Sequence, residues 1–333
     1  MSIRSRVSLL VAVLLIVALV SIPMASAAKA PYNIALIIKA TDSDFWQYVL
    51  HGADAAVKEL GPKTVKVIYR GGPTSEADID KQVAIVEDVI SKNPKAIVIA
   101  STSSDATVPA LERAAAQGIK IVLIDNLVKL KSSSYTSFLA TDNLKGGALA
   151  AQKLVAALKA MNKPLKGTVG LISSMAGVQV LMDRDDGFTK EIAKIAPDIK
   201  VAPVRYVNND ITQALAAAED MLTTYPDLVG FFADNNHTGD GVARAITERK
   251  LNNKIVGIAF DSDPEEVEAI KSGALKTLIL QDPYGMGYFG VKAAIDALNG
   301  KKVVKRVDTG ANAITLDNFN EKRSQELLFP LKK

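Results

Sequence analysis

Five separate stretches of this chain run apolar and then stop at a polar residue just as a helix-like stretch begins. They are KIVLIDN ending at Asp125-Asn126, VGFFADNN at Asp234-Asn235, KIVGIAFDSD at Asp261, LKTLILQDP at Gln281, and YNIALIIKATDSDFW running into Ser43, Phe45 and Trp46. A continuous Val/Ile/Leu run is how a strand buried on both faces reads. Strands that alternate with helices imply right-handed βαβ crossovers and a parallel sheet, so the fold class is α/β. In open parallel sheets ligands bind outside the carboxyl ends of the strands. The pattern therefore gathers amides, carboxylates and two aromatics where a small polyhydroxylated solute would sit.

The first residues have the form of an export signal. Arg4 and Arg6 precede an apolar run, Leu9 to Val20, and Ala25-Ser26-Ala27 offers a small-residue cleavage site, so residues 1–27 are expected to be a cleaved signal peptide. The apolar run falls short of the roughly 20 residues a membrane-spanning helix needs. Removing Arg4 and Arg6 lowers the formal charge from +4 to +2, too weak a balance for nucleic-acid binding by charge. The remaining length exceeds the usual single hydrophobic core, which implies two domains. There is no cysteine, which excludes disulfides, thiol chemistry, Cys-ligated zinc and an N-terminal lipid anchor. An exported chain without that anchor is confined by an outer membrane, hence an expected periplasmic location. With only His51 and His237 as histidines, no metal site and no cofactor is expected.

Along the chain, strands are expected at 33–39, 64–69, 95–100, 119–124 and 135–140, with helices at 44–60, 76–92 and 105–117 between them. A second series follows from Thr141-Asp142-Asn143: helices 143–161, 177–195, 210–224, 236–250, 264–272 and 284–299, and strands 167–173, 199–206, 227–233, 254–260 and 275–281. Ala313 to Leu316 reads as one more strand. Glycine and proline punctuate the helix ends, as at Gly61-Pro62, Asn93-Pro94 and Gly118. The same unit of about five strands is used twice. The second series has an extra helix and a tail, so the chain is expected to cross back, giving two lobes around a cleft. The expected division is 31–141 plus about 282–312 for one lobe and 142–281 plus about 313–333 for the other.

The opening IALIIKATDSDFW, the VLIDN strand end, ATDNLKGGALAAQKL, RDDGF at 184–188, FFADNNHTGDGVARAI, VGIAFDSDP and LILQDPYGMGYFGVKAA occur in this order across nearly the whole expected mature chain. In this it resembles the type I periplasmic sugar-binding proteins of ABC importers, and within them the ribose-binding subgroup. The resemblance implies two Rossmann-like lobes with parallel sheets joined by a multi-crossing hinge. It also implies a binding protein, not an enzyme, which captures a small sugar or polyol and delivers it to the membrane subunits of a permease, acting as a monomer. By the same resemblance Ser43, Phe45 and Trp46 stand where relatives place an asparagine and two aromatics. Asp125 matches the strand-end aspartate, and Asn235, Asp261 and Gln281 match the later polar strand ends.

Departures from that pattern are specific. Asn126 and Met182 stand where ribose-binding relatives carry arginines, Asn209 replaces an aromatic, and Ala100 replaces an asparagine. Two lost arginines remove rigid multi-donor forks, so the implied ligand is a sugar or polyol other than ribose. Lys39, Asp42, Asn209 and His237 are the new polar candidates. A carboxylate only accepts hydrogen bonds, whereas Asn and Gln accept and donate, and aromatic faces cover the C–H face of a sugar ring.

Other readings of the same residues stand beside these. Asp125, Asn235 and Asp261 could be helix N-caps; Phe45 and Trp46 could be core aromatics. Arg184 reads as a brace for the strand ends, and His51 as a mid-helix surface or core residue. Gly285-Met286-Gly287-Tyr288-Phe289-Gly290 spells the dinucleotide fingerprint GxGxxG, but no nucleotide-binding half follows it, and its glycines read instead as close helix packing. A sensory module serving a chemoreceptor or kinase, and a carbohydrate-active enzyme using Asp125 and Asp261 as a carboxylate pair, are the alternative functions.

Overall fold

The computed structural model describes residues 30–332; the expected signal segment lies outside the described residues. The chain builds two sheets. The first holds β1 (Tyr32–Ile37), β2 (Val65–Gly71), β3 (Ala96–Ile99), β4 (Lys120–Ile124), β5 (Ser137–Ala140) and the late β12 (Arg306–Asp308), in the order β12-β5-β4-β3-β1-β2. The second holds β6 (Gly167–Ser173), β7 (Ile199–Val201), β9 (Leu228–Ala233), β10 (Val256–Phe260), β11 (Leu275–Leu280) and β13 (Asn312–Ile314), in the order β13-β11-β10-β9-β6-β7, with β8 (Arg205–Tyr206) also against β6. The two orders are the same path drawn twice. In each, the direction of travel reverses beside the first strand, and crevices for ligands open at such points. Among the described residues the strand pairings are parallel except that of β11 with β13.

Helices fill the crossovers: α1 (Asp44–Leu60), α2 (Ile79–Ser91) and α3 (Val108–Ala116) in the first half; α4 (Asn143–Ala160), α5 (Gln179–Ile195), α6 (Ile211–Thr224), α7 (Asn236–Glu248) and α8 (Pro264–Ser272) in the second. They are followed by α9 (Pro283–Leu298) and the tail helix α10 (Lys322–Leu328). Alternate residues of the apolar runs go to opposite faces, as pleating requires. In the first sheet Ile34, Leu36, Val98, Val122 and Ile124 join one core with α1 and α9, while Ile37, Ile97, Ile99, Ile121 and Leu123 join another with α2 and α3. Each fully buried Ile or Leu supplies about 1.5–3 kcal/mol of transfer free energy, which is how a chain without cysteine holds together. On the second sheet Phe188 of α5 stacks on Phe232 of β9 with centroids 4.4 Å apart.

The chain passes between the halves near Thr141–Asn143, Gln281–Pro283 and Thr309–Asn312. α9 returns to the first half, where it lies against α1 so closely that a methyl on Gly287 would sit 1.9 Å from the Val49 carbonyl oxygen. Two glycines of the GxGxxG spelling thus serve close packing, Gly287 against α1 and Gly290 against Val98 and Ile124 of the sheet. Two of the crossings are tied together. Thr141 Oγ1 donates to the Gly310 carbonyl (3.0 Å), and the Asp142 amide donates to Asp308 Oδ1 (3.1 Å).

Three boundary expectations need correction. Helices expected from 76 and 105 begin at Ile79 and Val108. The residues before them are turns: Thr74 accepts from the amides of Thr41 and Asp42, and Ser103 Oγ accepts from those of Asp105 and Ala106. The strand expected over 199–206 is two short pieces, because Pro203 has no N–H for a ladder.

Candidate functional site

At the carboxyl ends of both sheets the halves close on one cavity. It is walled by Lys39, Phe45, Trp46, Glu76 and Asp125 from the first half, and by Val180, Leu181, Arg184, Asn235, Asn236 and Asp261 from the second, with Gln281 at the crossing. Its free volume is about 20 Å3, room for about two waters, so its walls must part to admit anything as large as a monosaccharide ring. Larger hollows of about 420 and 490 Å3 lie elsewhere, beside α4 and between α7 and α8. They are away from the strand ends and gather no comparable set of buried polar groups.

Asp125 and Asp261 hold equivalent places in the two halves. Each follows the fourth strand of its sheet, each has a left-handed backbone (φ 60° and 71°), and each donates its amide to the next strand, to Leu139 and Ile279 at 2.9 Å. Left-handed backbone is uncommon for a residue with a side chain and concentrates at functional sites. Neither is an N-cap: no α-helix follows Asp125 directly, and α8 is capped by Asp263. Asn235 is a cap, with Thr238 completing a capping box at the start of α7, and it also lines the cavity. The capping reading thus holds for one of the three.

In the first half, Lys39 Nζ lies 2.6 Å from Asp125 Oδ2 and 3.9 Å from Glu76 Oε2, and sits over the Trp46 ring at 5.4 Å. Trp46 Nε1 donates to Glu76 Oε1 at 2.7 Å. Phe45 packs edge-on against Trp46, centroids 4.8 Å apart. In the second half, Arg184 Nε donates to Asn143 Oδ1 (2.8 Å) and Nη1 to the Asp234 carbonyl (2.6 Å). Its guanidinium lies over the Phe260 ring (4.1 Å), and Nη1 is 3.7 Å from Asp261 Oδ2. Arg184 is therefore the expected brace and also a wall of the cavity. Gln281 Nε2 donates to Asp261 Oδ1 at 2.7 Å, and its buried Oε1 has no protein partner. Burial pushes the Asp261 carboxyl up to about 6. Arg184 and Gln281 pull it back, and the Asp125 and Glu76 charges add to the rise.

Contacts cross from one half to the other around the cavity. Asn236 Nδ2 reaches Ser43 Oγ at 3.4 Å, and the Gln179 amide donates to Ser104 Oγ at 3.2 Å. Ser43 begins α1 without a side-chain capping bond, so its hydroxyl is free for that contact.

Of the expected site residues, Lys39, Phe45, Trp46, Asp125, Asn235, Asp261 and Gln281 meet at the cavity, with Ser43 beside it. Five others do not line it. Asn126 turns away, Nδ2 donating to the Ser101 carbonyl inside the first half. Met182 lies on the exposed side of α5, because the preceding Val180 and Leu181 take its buried side. Asn209 sits behind Asn235, accepting from Asn235 Nδ2 (2.8 Å) and Ser174 Oγ (2.9 Å). Asp42 is exposed. His237 is buried and bonded through Nδ1 to the Asn209 carbonyl (3.0 Å), outside the lining. Glu76, Val180, Leu181 and Asn236 were missed. Glu76 follows a parallel strand by a few residues, so the strand-end rule itself could have found it, had the helix start not been placed on it.

A family model for the periplasmic binding protein domain matches residues 34–302. The chain belongs to that family. Among solved structures similar to this periplasmic binding protein is a carbohydrate transporter solute-binding protein from Agrobacterium radiobacter in complex with D-arabinose. It is 39% identical, with a TM-score of 0.85, over 90% of this chain and 99% of that one. An ABC transporter solute-binding protein from Agrobacterium vitis with bound D-fucose is 32% identical, with a TM-score of 0.82, over 89% and 99%. The ribose import binding protein of Haemophilus influenzae is 27% identical over 89% of this chain and 96% of its own length.

Proposed function

We propose that this protein captures one small neutral sugar or polyol between its lobes and delivers it to the membrane subunits of an ABC importer. The observation that carries the reading is that two strand-end carboxylates, Asp125 and Asp261, one from each sheet, wall one cavity with Phe45 and Trp46. Carboxylates and the unpartnered Gln281 Oε1 accept hydrogen bonds from hydroxyls, and Arg184, Lys39, Asn235 and Asn236 donate. Val180, Leu181 and the aromatics cover C–H surface. Contacts available only when both lobes meet the ligand favour the closed form, a hinge motion about the crossings.

We take the lobes as 31–141 with about 282–312, and 142–281 with about 313–333. The pairing of β12 with β5 and of β13 with β11 supports the division. Residues 1–27 act as a cleaved signal that delivers the protein to the periplasm. Its role is binding without turnover: Asp125 is already paired with Lys39 and Asp261 with Gln281, an arrangement suited to holding hydroxyls. The ligands named for relatives, arabinose, fucose and ribose, set the size class. Asn126 and Met182, where ribose binders carry arginines, argue that ribose is not preferred here.

A thermal-shift screen over pentoses, hexoses and polyols tests the reading, since a ligand that binds only the folded form raises Tm. A member of the panel should raise it in a saturable, concentration-dependent way; a flat response to the whole panel contradicts sugar binding.

A further inference from the structure

Beside the main cavity lies a second, smaller chamber of about 10 Å3, and the two share Phe45, Asp261 and Gln281 as walls. Beyond those shared residues it is lined by Ser262, Tyr48 from α1, Leu280 at the end of β11, Pro283 from the crossing, and Leu327 from the tail helix α10. All are buried. The far wall is held from both lobes. Leu327 and Leu328 pack into the second lobe's core with Phe319 and Leu280. Arg323 Nη2 pairs with Asp282 Oδ2 at 3.2 Å, and Asp282 caps α9 of the first lobe.

We propose that this chamber is a subsite for one apolar substituent on the ring of the bound sugar, and that Leu327 and Tyr48 set its size. The proposal rests on the sugar-binding reading above. A ring whose hydroxyls bond Asp261 and Gln281 presents its neighbouring substituent past them, into the chamber. The volume admits about one water-sized group. A methyl fits and gains from the apolar walls, by about fourfold for one buried carbon. A hydroxymethyl is larger and must bury a hydroxyl where Ser262 and Tyr48 are the polar side chains beyond the shared wall. The favoured ligand is therefore a 6-deoxyhexose, above the pentose and the hexose with the same ring stereochemistry.

Two matched series test this by calorimetry: L-arabinose, D-fucose and D-galactose, and D-arabinose, L-fucose and L-galactose. Within the series that binds, the methyl member should bind tightest and the hydroxymethyl member at least tenfold more weakly. Leu327→Ala, which enlarges the chamber, should narrow the methyl-to-hydroxymethyl ratio at least threefold. Leu327 also belongs to the core, so Tyr48→Trp, which fills the chamber from the other lobe, is measured in parallel and should erase the preference for methyl over hydrogen. Ratios that neither variant moves, or a hexose binding tightest to the wild type, overturn the subsite while leaving sugar binding standing. Binding of no sugar in either series overturns both.

Discussion

Lys39 and Asp125 form the most demanding pair in the molecule. Both are nearly fully buried, and Nζ and Oδ2 are 2.6 Å apart. Removing one partner of such a pair strands the other charge, at a cost of about 3–5 kcal/mol, whereas replacing both by apolar groups is often tolerated. Asp125→Ala should therefore lower stability by about that much in urea denaturation, and Lys39→Met with Asp125→Leu should recover most of it. A single variant as stable as the wild type would mean that Lys39 reaches water. Asp261 differs, because burial raises its carboxyl to about 6 from an ordinary 3.8. A raised carboxyl favours folding fully below about pH 4, and that contribution is lost as pH rises through about 6. Binding has the opposite sign, since hydroxyl donors favour the ionised form. Affinity for the sugar should rise about tenfold between pH 5 and 7.5, and Asp261→Asn should flatten that dependence. An unchanged pH profile in Asp261→Asn would assign the titration to another group.

Elements, more than individual side chains, were legible in the sequence. The apolar runs located the inner strands of both sheets because a strand buried on two faces leaves little else for its residues to be, and the polar residues ending those runs marked the cavity; the edge strand β12 escaped because its mostly exposed residues form no apolar run. What escaped depends on backbone routing. Glu76 was hidden because a turn bonded through Thr74 cannot be told from a first helical turn by periodicity. Met182 and Leu181 exchange roles through the rotation of α5, about 100° per residue, which the sequence does not fix. Asn126 was placed in the site by analogy, but the left-handed backbone at Asp125 directs its neighbour inward, to Ser101. The α1–α9 contact was readable from its glycines. Gly287→Ala should push α9 off α1, costing about 1–3 kcal/mol by overpacking and weakening sugar binding through Phe45 and Trp46. Unaltered stability in chemical denaturation would show that the helices part freely there.

The whole molecule is one strand path used twice, with its two fourth-strand ends facing each other across a hinge of three crossings. The proposed function has affinity shared between the lobes and specificity set by the residues that reach the cavity. The donors that reach it include Lys39 and Arg184, not a guanidinium at position 126 or 182. Ribose should accordingly bind at least tenfold more weakly than the best monosaccharide, about 1.4 kcal/mol, in side-by-side calorimetry; ribose binding tightest would show that Lys39 and Arg184 reproduce the missing arginine contacts.

The claim that both lobes grip one sugar is tested most directly by titrating the best sugar from the thermal screen into the wild type, Asp125→Ala and Asp261→Ala. One site per chain is expected in the wild type. A loss of about 1.5–3 kcal/mol is expected from each variant, as for a truncated charged hydrogen-bond partner. Normal affinity in either folded variant would mean that its lobe contributes no carboxylate to the ligand, contradicting a sugar held between the two.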